Sequence, residues 1–358
     1  MQLIGVVALL GTAMQAQTFT VLYNFTASWD GALPHDGLTL DAAGNLYGTA
    51  SGGGSGIGQA GNGTVFRLSH TQSGWRYTLL YTFLGGSDGA VPYAGVVFGP
   101  DGALYGTTYS GGGSGCGGVG CGTVFRLTAP TAVCKTTRCP WLETTLYRFS
   151  GPDGALPGFG NLLFDQAGAI YGTTGYGGSG CGTVYKLTKL AGIWTESLAY
   201  SFGNGIECYP FSGLTADQAG NLYGTTFGEG PGSVYKLSCS VSDCTYETLF
   251  DFPNGGQPFG GVAIDQRGNL YGGTLQGGYQ GGSMLFELAQ GTWNFSLLQT
   301  LGCCWRVYDT PTLDDHGTVY GTLAGSSAPG EVFAITSGNA FSVLHSFTGD
   351  DGYTPYGG

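Results

Sequence analysis

Apolar residues along this chain come in short bursts, broken by polar and glycine-rich stretches, and no window of useful length follows the 3.6-residue period of a helix. The stretch from Gly213 to Phe252 sets the type. GLTAD is short and apolar, DQAGN reads as a turn, and NLYGTT is a second strand. FGEGPG is another turn, GSVYKL a third strand with apolar residues on both faces, SCSVSDC a loop and YETLFDF a fourth strand. Gly in such turns takes the positive φ that a tight hairpin needs. The pattern predicts four short antiparallel strands, termed a, b, c and d.

The unit recurs. Tyr47, Tyr105, Tyr171, Tyr223, Tyr271 and Tyr320 each have a Gly three residues before and another directly after. The third strand reads GTVFRL at Gly63 and Gly122, GTVYKL at Gly182 and GSVYKL at Gly232, with weaker copies at Ser283 and Gly330. Fourth strands end in pairs such as Tyr81/Phe83, Tyr147/Phe149, Tyr200/Phe202 and Phe250/Phe252. The repeats span roughly 37–83, 95–149, 160–202, 213–252, 261–301 and 310–347. Four-stranded units of this length, apolar on both faces, predict an all-β chain: a β-propeller of four-stranded antiparallel blades forming one domain over 19–358. A β-helix is the structural rival, but its rungs are usually shorter and more uniform. The fourth-strand pattern also occurs at TVLYNF from Thr20, and TGDDGYTPYGG follows the last copy at Phe341. The expectation is six complete blades and a truncated seventh; the alternative is a six-bladed ring with a spare outer strand.

Within the repeat, Asp217 is expected to cap the a–b turn, as are Asp41, Asp165, Asp265 and Asp314. Tyr223 would pack between blades, and Gly224 would permit close approach of the neighbouring sheet or a bulge. A ring of these carboxylates around a cation is the functional rival. The second repeat spoils it, with Gly99 at that place and Asp101 two residues later.

Composition narrows the class. Charged residues are 9% and aromatics 13%, a poor match to a disordered chain. The net charge of −12, with 11 scattered Lys and Arg, argues against nucleic acid. Residues 1–16 read as a secretory leader with an apolar core from Leu3 to Leu10, though without a preceding basic residue. No later stretch is long enough for a membrane helix. Ten cysteines fit an exported chain. Cys116 and Cys121, Cys134 and Cys139, and Cys239 and Cys244 share one spacing and suggest three local bridges. Cys181 with Cys208 is a plausible pair, and Cys303 and Cys304 would form a vicinal bridge or pair elsewhere. No metal site and no cofactor are expected, because zinc needs Cys/His quartets and the four His lie far apart.

Candidate site residues lie in the d–a loops. Twelve residues before each repeat tyrosine stands His35, Tyr93, Phe159, Phe211, Phe259 or Tyr308, and Tyr356 would be the seventh. These would ring the mouth of the central channel and stack on sugars or other flat apolar groups, with Asp30, Asp88 and Asp153 as polar partners. Inter-blade packing is the competing explanation, since a residue repeated in every blade usually serves the repeat. No GxSxG, HExxH or phosphate loop occurs. The departures from repeat symmetry, Cys303–Tyr308 and Ala129–Leu142, offer no acid–base pair.

The words GLTADQAGNLYGTT, GTVYKL and LYTF, with their DG-x-x-P lead-ins, resemble the GloVer tandem repeat of secreted bacterial proteins. The resemblance covers nearly everything after residue 18. It implies an exported repeat protein, often held at the cell surface by a variable C-terminal anchor, and carries no established activity. The sixth repeat departs most, with CCWRVYDTP for the lead-in and HGTVYGTL for GNLYGTT. The expected function is a monomeric, secreted or cell-surface propeller that binds an extracellular ligand, a carbohydrate or a protein. A propeller lyase or hydrolase working in the channel, and a purely structural envelope protein, are the alternatives.

Overall fold

The computed structural model describes residues 18–357 except 55–60, 132–139, 204–206, 229, 241–242, 279–280 and 327. The expected leader lies outside the described residues. So do Cys134 and Cys139, and with them the bridge expected between the two. Blade one consists of β1 (Thr39–Leu40), β2 (Leu46–Ala50), β3 (Thr64–Thr71) and β4 (Gly74–Thr82), hydrogen-bonded in that order and all antiparallel. Five further sheets follow the same plan, their first strands at Val97–Phe98, Leu163–Phe164, Thr215–Ala216, Ala263–Ile264 and Thr312–Leu313. The last also gains the short strand Trp305–Arg306. There is no α-helix among the described residues. The chain is a six-bladed β-propeller.

The repeated words build the blade as follows. Asp217 Oδ1 accepts the backbone N–H of Ala219 and Asn221, each at 2.9 Å, and Oδ2 accepts from Asn221 Nδ2 at 2.7 Å and the Tyr223 hydroxyl at 3.0 Å. One side chain thus closes the a–b turn and ties the tyrosine to it. Asp41 and Asp265 repeat all four bonds. In blade two Asp101 takes over the tyrosine, accepting from Tyr105 at 3.0 Å while pairing with Arg126 at 2.7 Å. Tyr223 is buried against Val262, Leu270 and Phe286 of the next blade, as expected. Gly224 serves a different purpose from the one expected. It pairs with Tyr235 in its own sheet, and a Cβ there would lie 2.5 Å from that ring's hydroxyl. The absent side chain makes room for the c-strand ring over the b strand, and all six blades show the same contact.

A β-bulge sits at one place in every c–d pair, between Val65/Phe66, Val124/Phe125, Val184/Tyr185, Val234/Tyr235, Leu285/Phe286 and Val332/Phe333. The extra d-strand residue re-aims the end of that strand. Its final aromatic then meets the c-strand ring of the following blade edge-on: Phe83 on Phe125, Phe149 on Tyr185, Phe202 on Tyr235 and Phe252 on Phe286, with centroids 4.9–5.3 Å apart. The core is therefore a series of inter-blade clusters.

Closure differs between hub and rim. Toward the axis, five d–a lead-ins press their Pro onto the Gly that opens the c strand behind, as Pro92 does on Gly63 and Pro355 on Gly330, while the lead-in of blade six brings Val307 against Gly273. Six lead-ins introduce the six sheets. Residues 354–357 make a seventh: the Thr322 hydroxyl donates to the Gly357 carbonyl at 3.0 Å, as Thr225 does to Gly260 at 2.9 Å. Gly357 in turn abuts the backbone of Asp36, so the hub closes. Outward from this contact a cleft of 570 Å³ separates blades six and one, running from Asp36 and Gly357 to Leu22, Phe66, Phe347 and Tyr353. The fourth-strand look-alike at Thr20 forms no strand. Its side chains nonetheless take the usual places: Phe25 meets Phe66 at 5.1 Å and 69°, and Phe19 stacks on His345 at 3.9 Å.

Candidate functional site: the channel mouth

The d–a lead-ins carry the aromatic residues to one end of the axis. Leu33, Val91, Leu156, Tyr209 and Thr354, each just before a Pro, hold positive φ of 50–61°. This conformation is costly for non-glycine residues and is sustained here by the surrounding backbone bonds, such as Ala32 N–H to Gly52 and Ala90 N–H to Ser110, both 2.8 Å. It turns the following aromatic inward. His35, Tyr93, Phe159, Phe259, Tyr308 and Tyr356 form a closed circuit, each ring touching the next, with centroid separations from 4.8 to 5.7 Å. They line a cavity of 260 Å³. Phe211 lies just outside the circuit, packed on Phe159 and Phe259 at 5.5 and 5.4 Å.

The acidic residues named from the sequence are held elsewhere. Asp30, Asp88 and Asp153 accept hydrogen bonds from Tyr23, Tyr81 and Tyr147 at 2.9, 2.6 and 2.5 Å, and each also caps its own d–a turn. Desolvation works against the ionised form of Asp30, but hydrogen bonds from Thr26, Tyr23 and Ser28 outweigh it and hold that carboxyl below the ordinary range. The oxygens of these three residues bond within the turns, and none of the three lines the cavity.

The carboxylates that do line it are Asp36 and Asp309. Beneath the rings the channel continues as a 280 Å³ space whose walls include these two residues, Thr39, Asn161, Thr215 and Thr312. Asp36 accepts from Gly37 N–H at 2.7 Å, from Gly95 N–H and from the Asn161 side chain. Desolvation, and then the charge of Asp309, raise its pKa to about 7 against those hydrogen bonds. Near neutrality Asp36 therefore exchanges its proton beside Asp309. Burial alone lowers the pKa of His35, so the ring beside the pair stays neutral.

Sequence reasoning missed Asp36, Asp309 and Asn161. A signal was present. Eleven residues before the repeat tyrosine the other blades carry Ala94, Gly160, Ser212 and Gly260, all small, whereas blades one and six carry Asp. Asn161 stands out likewise one column later, where most blades have Gly.

Among the described cysteines, Cys116–Cys121, Cys181–Cys208 and Cys239–Cys244 are disulfides. Two of the three local bridges expected from the shared spacing are thus present. The third, Cys134 with Cys139, is not among these disulfides, because both residues lie outside the described ones. Cys181–Cys208 joins the b–c loop of blade three to the lead-in of blade four. Cys303 and Cys304 do not form the vicinal bridge; their sulfurs stand 3.1 Å apart, where a bond would need about 2 Å. No helix among the described residues is long and apolar enough to cross a membrane.

Fold and repeat define a β-propeller repeat protein. The chain belongs to the Gloeobacter/Verrucomicrobia repeat family, whose model matches residues 5–141, 57–231 and 120–322. No match was found among curated proteins. Solved structures share the fold. Virginiamycin B lyase from Staphylococcus aureus is 16% identical over 91% of this chain and 87% of its own, with a TM-score of 0.59. A putative 6-phosphogluconolactonase from Bacteroides uniformis is 15% identical over 86% of this chain and 83% of its own, at 0.55. The extracellular domain of a putative one-component system from B. thetaiotaomicron is 12% identical, at 0.57; the match spans 96% of this chain and 37% of that one.

Proposed function

We propose that the chain is an exported, non-catalytic binding propeller whose ligand enters at the aromatic mouth. The observation that carries this reading is the closed circuit of six rings above a carboxylate pair: an apolar wall that exposes ring surface to the channel, with a few convergent polar atoms at its floor. Three disulfides support an oxidising destination outside the cytoplasm, at the cell surface or in the medium. Carbohydrate is one ligand class that suits ring faces; a protein or peptide side chain is another. A glycan and peptide array with purified protein is the test. Binding should fall at least tenfold in Tyr93→Ala while the fold persists by circular dichroism. If the variant binds as the parent does, the mouth is not the site, and the absence of any ligand favours a structural envelope role.

One observation favours the enzymatic alternative. Asp36 breaks the repeat and has a pKa near 7, where a carboxyl can exchange protons in the channel. Turnover of a lactone or unsaturated cyclic substrate, abolished in Asp36→Asn, would replace the binding reading with that of a lyase or hydrolase.

A further inference from the structure

Building on the channel mouth as a binding site, we infer that the group received there is a compact organic monocation, an ammonium or methylated ammonium head.

The first argument is geometric. Six rings form a closed circuit with neighbouring centroids 4.8–5.7 Å apart around a cavity of 260 Å³. A cation seated between two neighbouring rings lies inside the reach of about 6 Å over which an aromatic ring attracts a positive charge. A cavity of that size admits a methylated ammonium.

The second argument is electrostatic. The carboxyls that depart from the repeat, Asp36 and Asp309, both open into this cavity. Held by the Gly37 and Gly95 amides and by Asn161, Asp36 is fixed in place before any ligand arrives. Among the described residues, the lining contains no Lys or Arg. Arg306, the base felt by Tyr308, turns its guanidinium to the Leu275 carbonyl at 2.8 Å. Carboxyls that line a desolvated pocket favour a ligand with positive charge over a neutral one. A hard divalent cation would need six or more oxygens, and the mouth offers mostly rings. The chain's net charge of −12 also draws cations toward it.

The experiment is calorimetric titration with choline and with 3,3-dimethylbutan-1-ol, which has the same shape without the charge. Choline should bind at least tenfold more tightly than the alcohol. The double variant Asp36→Asn/Asp309→Asn should bring the two within about threefold of each other, and Tyr308→Leu should weaken choline at least fivefold, both in protein that circular dichroism shows to be folded. Should the double variant unfold, the parent replaces it: choline should bind more tightly as pH is raised from about 6 to about 8, and the alcohol should not. Equal binding of the two probes, choline binding indifferent to both variants, or no choline binding by folded protein would each overturn the inference. A Tyr93-dependent array signal alongside one of those results would leave the binding mouth standing and remove only the cation; loss of both removes both.

Discussion

Asp217 and Asp36 each accept hydrogen bonds from backbone amides and an Asn side chain, yet their carboxyls are driven in opposite directions. Desolvation at Asp217 is slight enough for its bonds to Asn221, Tyr223 and Ala219 to hold the pKa low. Asp36 sits in the hub, where desolvation and Asp309 outweigh its bonds. The sign of its effect on stability follows. A carboxyl whose pKa is higher folded than unfolded binds more protons in the folded state. Its contribution is complete below about 4 and is lost as pH rises through about 7. His35, lowered by burial, acts the other way, since the unfolded chain holds its proton more tightly. Subtracting the urea-unfolding curve of Asp36→Asn from that of the parent between pH 4 and 8 isolates the carboxyl. The difference should show the parent losing stability relative to the variant, with a slope of at most about one proton. A flat difference would mean that Asp36 ionises freely.

At the scale of the strand, YGTT divides its labour by residue. Tyr223 fills the inter-blade core, Gly224 clears space for Tyr235, Thr225 reaches the Gly260 carbonyl of the next lead-in at 2.9 Å, and Thr226 joins Ser233 across the sheet at 2.8 Å. Gly224→Ala should therefore cost about 1–3 kcal/mol by overpacking. Replacing Tyr235 by Leu in the same chain should recover part of that cost in chemical denaturation, because the clash is with the ring's far end. Elements were legible because each word repeats: the Asp turns, the four strands and the aromatic column all announce themselves by recurrence. The same habit hid Asp36 and Asp309, which matter by departing from their column. It also overstated Thr20–Phe25, whose side chains imitate a fourth strand without a third strand beside them to pair with.

The whole molecule is closed by two unlike devices. Near the axis, lead-in backbones abut one another from Gly160 on Gly213 to Gly357 on Asp36. At the rim five blade junctions are sealed by paired sheets and buried aromatics, and the sixth by Phe19 and Phe25 reaching in opposite directions from one unpaired segment. Cys181–Cys208 staples the third junction covalently. Such a body behaves as a split washer. Load or thermal motion that opens the slot beside Phe347 must flex the hub on that side, where Pro34, Asp36, Tyr356 and Gly357 line the same cleft. Amide exchange should then be faster in Phe341–Ser346 than in the equivalent strand Cys244–Asp251. Occupancy of the mouth should slow the former selectively, because Asp36 and Tyr356 line both the mouth and the slot and tie the diameter of one to the width of the other.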